Sequence, residues 1–70
     1  MEKFEFQLEG EYIELIKLLK LLSIAESGAQ AKQMVDNGEV VRNGELESRK
    51  RAKLIKGDVI EIFDLLIEIQ

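Results

Sequence analysis

The sequence predicts an α+β fold in a single domain, residues 1–70, with two short helices packed on a small, mostly antiparallel sheet in the order β-α-α-β-β-β-β. Three observations predict it. Phe4, Phe6 and Leu8 alternate with Glu5, Gln7 and Glu9, the period-two pattern of a strand with one buried face. The apolar spacing then turns helical, with a second helix start signalled at Ser27. Beyond Asn37, short runs of Val, Ile and Leu are punctuated by Asn43-Gly44 and Gly57-Asp58, which reads as strands joined by turns.

Each element has its own warrant. The first strand stops at Gly10. From Glu11 to Leu22 a charge recurs every third position between aliphatic pairs, so the helix there has a wide apolar face and a narrow polar stripe. Glu11 and Glu14 in its first turn, with Lys17 and Lys20 later, follow the helix dipole. Ser27-Gly28-Ala29-Gln30 has the form of a capping box, in which Ser27 accepts from the Gln30 amide while the Gln30 side chain reaches back. The second helix therefore runs from about residue 28 to 37, with Ala31, Met34 and Val35 buried, Lys32, Gln33 and Asp36 outside, and Asn37-Gly38 as its stop. Its N-terminus directs free amides outward, where an anion is favoured. Val40 and Val41, the Asn43-Gly44 turn, and Glu45 to Glu47 form a hairpin. Val59 to Phe63 and Ile67 to Ile69 complete the sheet after a turn near Asp64 and Leu65. Phe4, Phe6 and Phe63 fit buried strand positions, and Tyr12 fits the core-facing side of the first helix.

With 46% apolar and 34% charged residues the chain is a folded domain rather than a disordered tail. It has no Cys and no His, so no disulfide or zinc site staples it, and no cofactor is expected. The greasiest stretch, Tyr12 to Leu22, is broken by Glu14, Lys17 and Lys20, which excludes a membrane-spanning helix. The start Met1-Glu2-Lys3-Phe4-Glu5 lacks the pattern of a signal peptide, so a cytoplasmic, monomeric protein is expected. Catalysis finds no footing. There is no imidazole or thiol, Ser27 serves as a cap, and the fourteen carboxylates are expected at scattered, solvent-facing positions without metal-binding spacing.

Charge is unevenly distributed. The formal net charge is −4, yet residues 29–57 hold seven cations against four carboxylates, a local +3, while the remainder sums to −7. Within that segment Arg49-Lys50-Arg51-Ala52-Lys53 packs four cations into five residues. Such a run is either a solvated loop or a phosphate grip, because like charges this dense repel one another until anions approach.

The ordered features resemble the S-four RNA-binding domain, or αL motif. They are Leu18-Leu19-Lys20-Leu21-Leu22 closing a helix, then Ser27-Gly28-Ala29-Gln30-Ala31-Lys32-Gln33-Met34-Val35, then Gly38-Glu39-Val40-Val41-Arg42-Asn43-Gly44, and lastly Lys56-Gly57-Asp58-Val59-Ile60. The basic stretch makes the chain similar to the small stand-alone bacterial members of the ribosome-associated YbcJ and YaaA type. The resemblance implies a non-catalytic protein that contacts structured RNA, ribosomal or transfer, through cations on the second helix and the adjoining loops. Lys32, Gln33, Arg49, Lys50, Arg51 and Lys53 are the implied contacts, with Ser27, Gln30, Arg42 and Lys56 as weaker candidates. Two positions depart from the pattern: Gly28 stands where many relatives have an RNA-contacting Arg, and Arg42 where they have an apolar strand residue. With the aromatics assigned to the core, phosphate and shape recognition is expected rather than base stacking. The competing reading is a protein-interaction module that uses the acidic surface or a sheet edge.

Overall fold

The N-terminal alternation folds as strand β1, Glu2–Phe6, in a computed structural model that describes all residues 1–70. The other elements are β2 (Ile13–Glu14), α1 (Leu15–Leu21), α2 (Gly28–Asp36), β3 (Val40–Arg42), β4 (Glu45–Leu46), β5 (Lys53–Leu54), β6 (Val59–Ile62) and β7 (Leu65–Ile69). The main sheet has the order β1-β7-β6-β3-β4, and β2 and β5 form a separate two-stranded pair. All pairings are antiparallel except β1 with β7, which runs parallel from Glu2 opposite Leu65 to Phe6 opposite Ile69. The expected order of elements holds, with two short strands added.

One face of the sheet carries the core. Leu15, Leu18 and Leu19 of α1 and Ala31, Met34 and Val35 of α2 pack in one cluster with Val40, Ile60, Ile62, Ile67 and Ile69 of the sheet and Leu54 of β5. Complete burial of a Leu or Ile stabilises by about 1.5–3 kcal/mol, and this cluster is what holds a chain without covalent staples. Glycine serves the turns that need a left-handed residue: Asn43-Gly44 crosses the β3–β4 hairpin at φ 52° and 85°, and Gly38 leaves α2 at φ 74°.

Several expectations are corrected. Helix α1 begins at Leu15 rather than Glu11, because Ile13 and Glu14 are held extended opposite Leu54 and Lys53. Glu11 and Glu14 therefore do not occupy a first helical turn. Tyr12 precedes the helix and is 47% exposed, with the Lys53 ammonium 4.9 Å from its ring centroid, a cation–π contact in place of core packing. Phe63 is 59% exposed at φ 54° in the β6–β7 turn; with Ile60 and Ile62 facing inward, strand alternation directs residue 63 to solvent. Phe4 stands beside Ile67 of β7, but it lies on the edge strand of the sheet and 48% of it remains exposed. Phe6 is half-buried against the core as expected. Two of the carboxylates expected at the surface, Glu47 and Asp58, are buried.

Candidate nucleic-acid interface

The N-terminus of α2 is built as its sequence dictates. Ser27 Oγ accepts from the Gln30 amide at 3.1 Å, and the Gln30 side chain reaches back to accept from the Glu26 amide, one residue before the cap itself. This closure fixes the first turn and sets Lys32 and Gln33 on the exposed side, away from buried Ala31, Met34 and Val35.

The basic segment is a tight turn rather than a loose loop. Its carbonyls fill the vacancies that every helix start leaves: the Leu15 amide donates to Ala52 O at 2.9 Å and the Ile16 amide to Lys50 O at 3.3 Å. Ala52 is buried, while Arg49, Lys50, Arg51 and Lys53 are exposed around it. Backbone anchoring thus fixes where the four cations emerge.

They emerge into two adjoining concavities. In the first, of about 750 Å³, Ser27, Gln30, Lys32 and Gln33 of the α2 segment face Lys50 of the turn, together with Glu26 and Asp36. Lys50 Nζ lies 3.3 Å from Asp36 Oδ1, an ion pair between exposed side chains that links the turn to α2. The second concavity, of about 490 Å³, gathers Arg42, Arg49, Arg51 and Lys53 around Ala52. Arg49 and Lys50, chain neighbours, line different hollows, one the second and the other the first. Lys56 lines neither one. No three carboxylates are gathered into a cation-binding cluster.

Two buried acids organise the arginines, and sequence reading missed both. Glu47 accepts from the Arg49 side chain at 3.2 and 3.3 Å, from the Arg49 amide at 3.0 Å, and from Arg42 at 3.4 Å. The bond from the Arg49 side chain is the main cause holding the Glu47 carboxyl below its ordinary range; burial opposes it, and the Arg49 amide and Arg42 assist. Reciprocally, Glu47 raises the Arg49 guanidinium, which stays charged. Asp58 accepts from Arg42 Nη2 at 2.8 Å, from Asn43 Nδ2 at 2.9 Å and from the Ile55 amide at 2.8 Å. Burial pushes Asp58 upward, but the Ile55 amide, Asn43 and Arg42 together outweigh it and leave the carboxyl lowered.

Arg42 therefore has its guanidinium shared among Glu47, Asp58 and the Lys53 carbonyl, the last at 2.9 Å, with only 19% of its side chain exposed. It ties β3 to the start of β5 and holds the basic turn from behind. Arg51 and Lys32 have no ion pair with any carboxylate, so both are free to meet an external anion. The one local signal that pointed to the buried network was Asp58 directly after Gly57, at the head of a strand, where a short acid closes a turn on a nearby amide.

The fold defines a small αL-motif domain in which a capped helix and the Lys50 side of a basic turn line one concavity. The chain belongs to the S4 domain family, which residues 6–70 match. It is 45% identical over 49 residues to YbcJ of Escherichia coli, an alignment spanning 70% of each chain. It is 40% identical over 55 residues to the Bacillus subtilis protein named "Probable ribosome maturation protein RlbA", covering 79% of this chain and 78% of that one. The solution structure of Escherichia coli YbcJ, described as revealing an αL motif involved in RNA-binding, matches with a TM-score of 0.67 at 35% identity, over 99% of this chain and 86% of that one.

Proposed function

We propose that this protein is a non-catalytic cytoplasmic RNA-binding protein that grips the phosphates of folded ribosomal or transfer RNA along the groove between α2 and the basic turn. One observation carries the reading. Lys32 and Lys50, eighteen positions apart in sequence, line the same concavity beside the capped start of α2, and Arg51 and Lys53 continue the basic surface past Arg49. Phosphate contacts of this kind position a protein on RNA without reading its bases, which favours a folded shape over a particular sequence. The RNA-binding description of the YbcJ structure and the ribosome-maturation name of RlbA support the choice of ligand class. A single copy carries every residue of this surface, so binding requires no second chain.

The ion pairs support a division of labour among the cations in this reading. Arg42 acts as a brace and Arg49 is shared with buried Glu47, so Lys32, Arg51 and Lys53 are the principal phosphate ligands, joined by Lys50, whose pair with Asp36 is between exposed side chains and yields to a phosphate. Four such contacts give a salt slope near −2.8, so raising salt from about 50 to about 200 mM should weaken binding by about 50-fold. Filter binding of ribosomal and transfer RNA across that range is the test. Affinity that ignores salt, or that survives Lys32→Ala combined with Arg51→Ala, eliminates the proposal. Partners that persist in a pull-down after nuclease treatment would support protein docking instead.

A further inference from the structure

We infer that the free edge of β1 pairs with the same strand of a second copy of this chain, antiparallel and centred on Phe4, to form a two-fold dimer with one continuous sheet. The edge is open, since β1 is bonded to β7 on one side and to nothing on the other. The ladder establishes which groups are available. The amides of Glu2 and Leu8 donate toward the β7 side and Phe6 O accepts from it, so even-numbered residues bond inward. The backbone N–H and C=O of Lys3 and Glu5 accordingly point out to solvent.

Those two residues are the ones that a two-fold register requires. An antiparallel pair that bonds odd-numbered residues to odd-numbered residues places Lys3 opposite the partner's Glu5 and Glu5 opposite the partner's Lys3, each couple exchanging two backbone hydrogen bonds. The same register brings opposite charges together twice on the outer face. It also sets Phe4 against the partner's Phe4 on the two-fold axis, in the closely spaced non-hydrogen-bonded position. The triplet Lys3-Phe4-Glu5 is thus complementary to itself read backwards, as an isologous contact demands, while Glu2 falls opposite the partner's Phe6 at each end.

Two features left over by the fold find an explanation here. Phe4 is a large aromatic left 48% exposed at an edge strand, where natural sheets usually place a blocking charge facing inward or a proline. Glu5 stands directly opposite Glu68 of β7, two like charges side by side, and the partner's Lys3 would lie across from Glu5 and offset that repulsion. Arg42, which lines the second concavity, is on β3, three strands from this edge and about 14 Å across the sheet, so pairing leaves that concavity open. This inference is independent of the RNA reading.

An interface of this size is weak and transient, so the dimer grows with concentration. Sedimentation equilibrium of the full chain from about 10 µM to about 1 mM should show the monomer–dimer shift. Lys3→Glu acts at two symmetric places and should weaken association about tenfold, as should Glu5→Lys; the double exchange of Lys3→Glu with Glu5→Lys should restore it. Both side chains are exposed, so the variants fold. Amide exchange supplies a second readout, in which Lys3 and Glu5 become protected at high concentration while other exposed amides do not. A monomeric mass throughout with those amides exchanging freely overturns the proposal and leaves the edge to an extended segment of another protein. Association indifferent to Lys3→Glu, or not recovered in the double exchange, overturns the register.

Discussion

Replacing Asp58 with Asn tests whether the buried acid pair is what holds the basic turn in place. The substitution keeps size and shape, so no cavity contributes. The carboxylate accepts three hydrogen bonds, from Arg42, Asn43 and the Ile55 amide. An amide supplies only one accepting oxygen. If that oxygen stays with Arg42 and Ile55, its own NH₂ confronts the Asn43 NH₂; if it turns, two donors lose their acceptor. Arg42 then has only one charged partner, Glu47 at 3.4 Å, beside its bond to the Lys53 carbonyl at 2.9 Å. Loss of a charged partner with one buried donor left unsatisfied costs about 2–3 kcal/mol. Total stability at this size is about 4–10 kcal/mol, so Tm should fall by about 10–20 °C in thermal unfolding followed by circular dichroism. The acid limb carries the sign. Asp58 and Glu47 both have lowered values in the folded state, so their contribution is complete above the unfolded carboxylate values and is lost as pH falls through the folded ones. Stability of the unaltered protein should therefore decline from about pH 4 downward, and Asp58→Asn should decline less steeply there. A Tm at neutral pH within about 3 °C of the parent, or an unchanged acid limb, would show that the network is not the brace described.

Ser27→Ala removes the oxygen that accepts from the Gln30 amide; it should cost about 1 kcal/mol and lower Tm by about 4–8 °C, checked by thermal melts. Arg49→Ala takes from buried Glu47 its strongest donor, so the Glu47 carboxyl should rise toward its ordinary value and acid-induced unfolding should begin at higher pH, read by pH titration of ellipticity. Arg51→Ala should do the reverse of Arg49→Ala in kind: stability stays within about 0.5 kcal/mol, while RNA affinity falls and the salt slope flattens by about 0.7.

Local signals read correctly where local chemistry decides. The Ser27 and Gln30 cap and the Asn43-Gly44 turn are settled by neighbours within a few residues, and the structure carries both. Reading fails where distant chain imposes a conformation. The run from Glu11 to Glu14 has helical spacing, yet Leu54 and Lys53 pair with Ile13 and Glu14 and hold them extended. Ser23 at φ 60° then closes α1 without any glycine to announce it. At the surface the cations were legible as charge but not as partners. That Arg42 is engaged by Glu47 and Asp58, five and sixteen residues away, depends on strands that meet only after folding. Charge counting therefore treats Arg42 and Arg51 alike, although one is a brace and the other is free.

The carbonyls of Lys50 and Ala52 cap the start of α1, so the turn between them surrenders its backbone freedom when the domain folds. Ordering a residue costs about 1–2 kcal/mol of conformational entropy, and a flexible basic tail would meet that cost on every encounter with its ligand. Here the backbone that carries the cations is already set by the fold. An acidic chain with ten basic residues in all can thereby hold a polyanion that a looser arrangement of the same charges would let go.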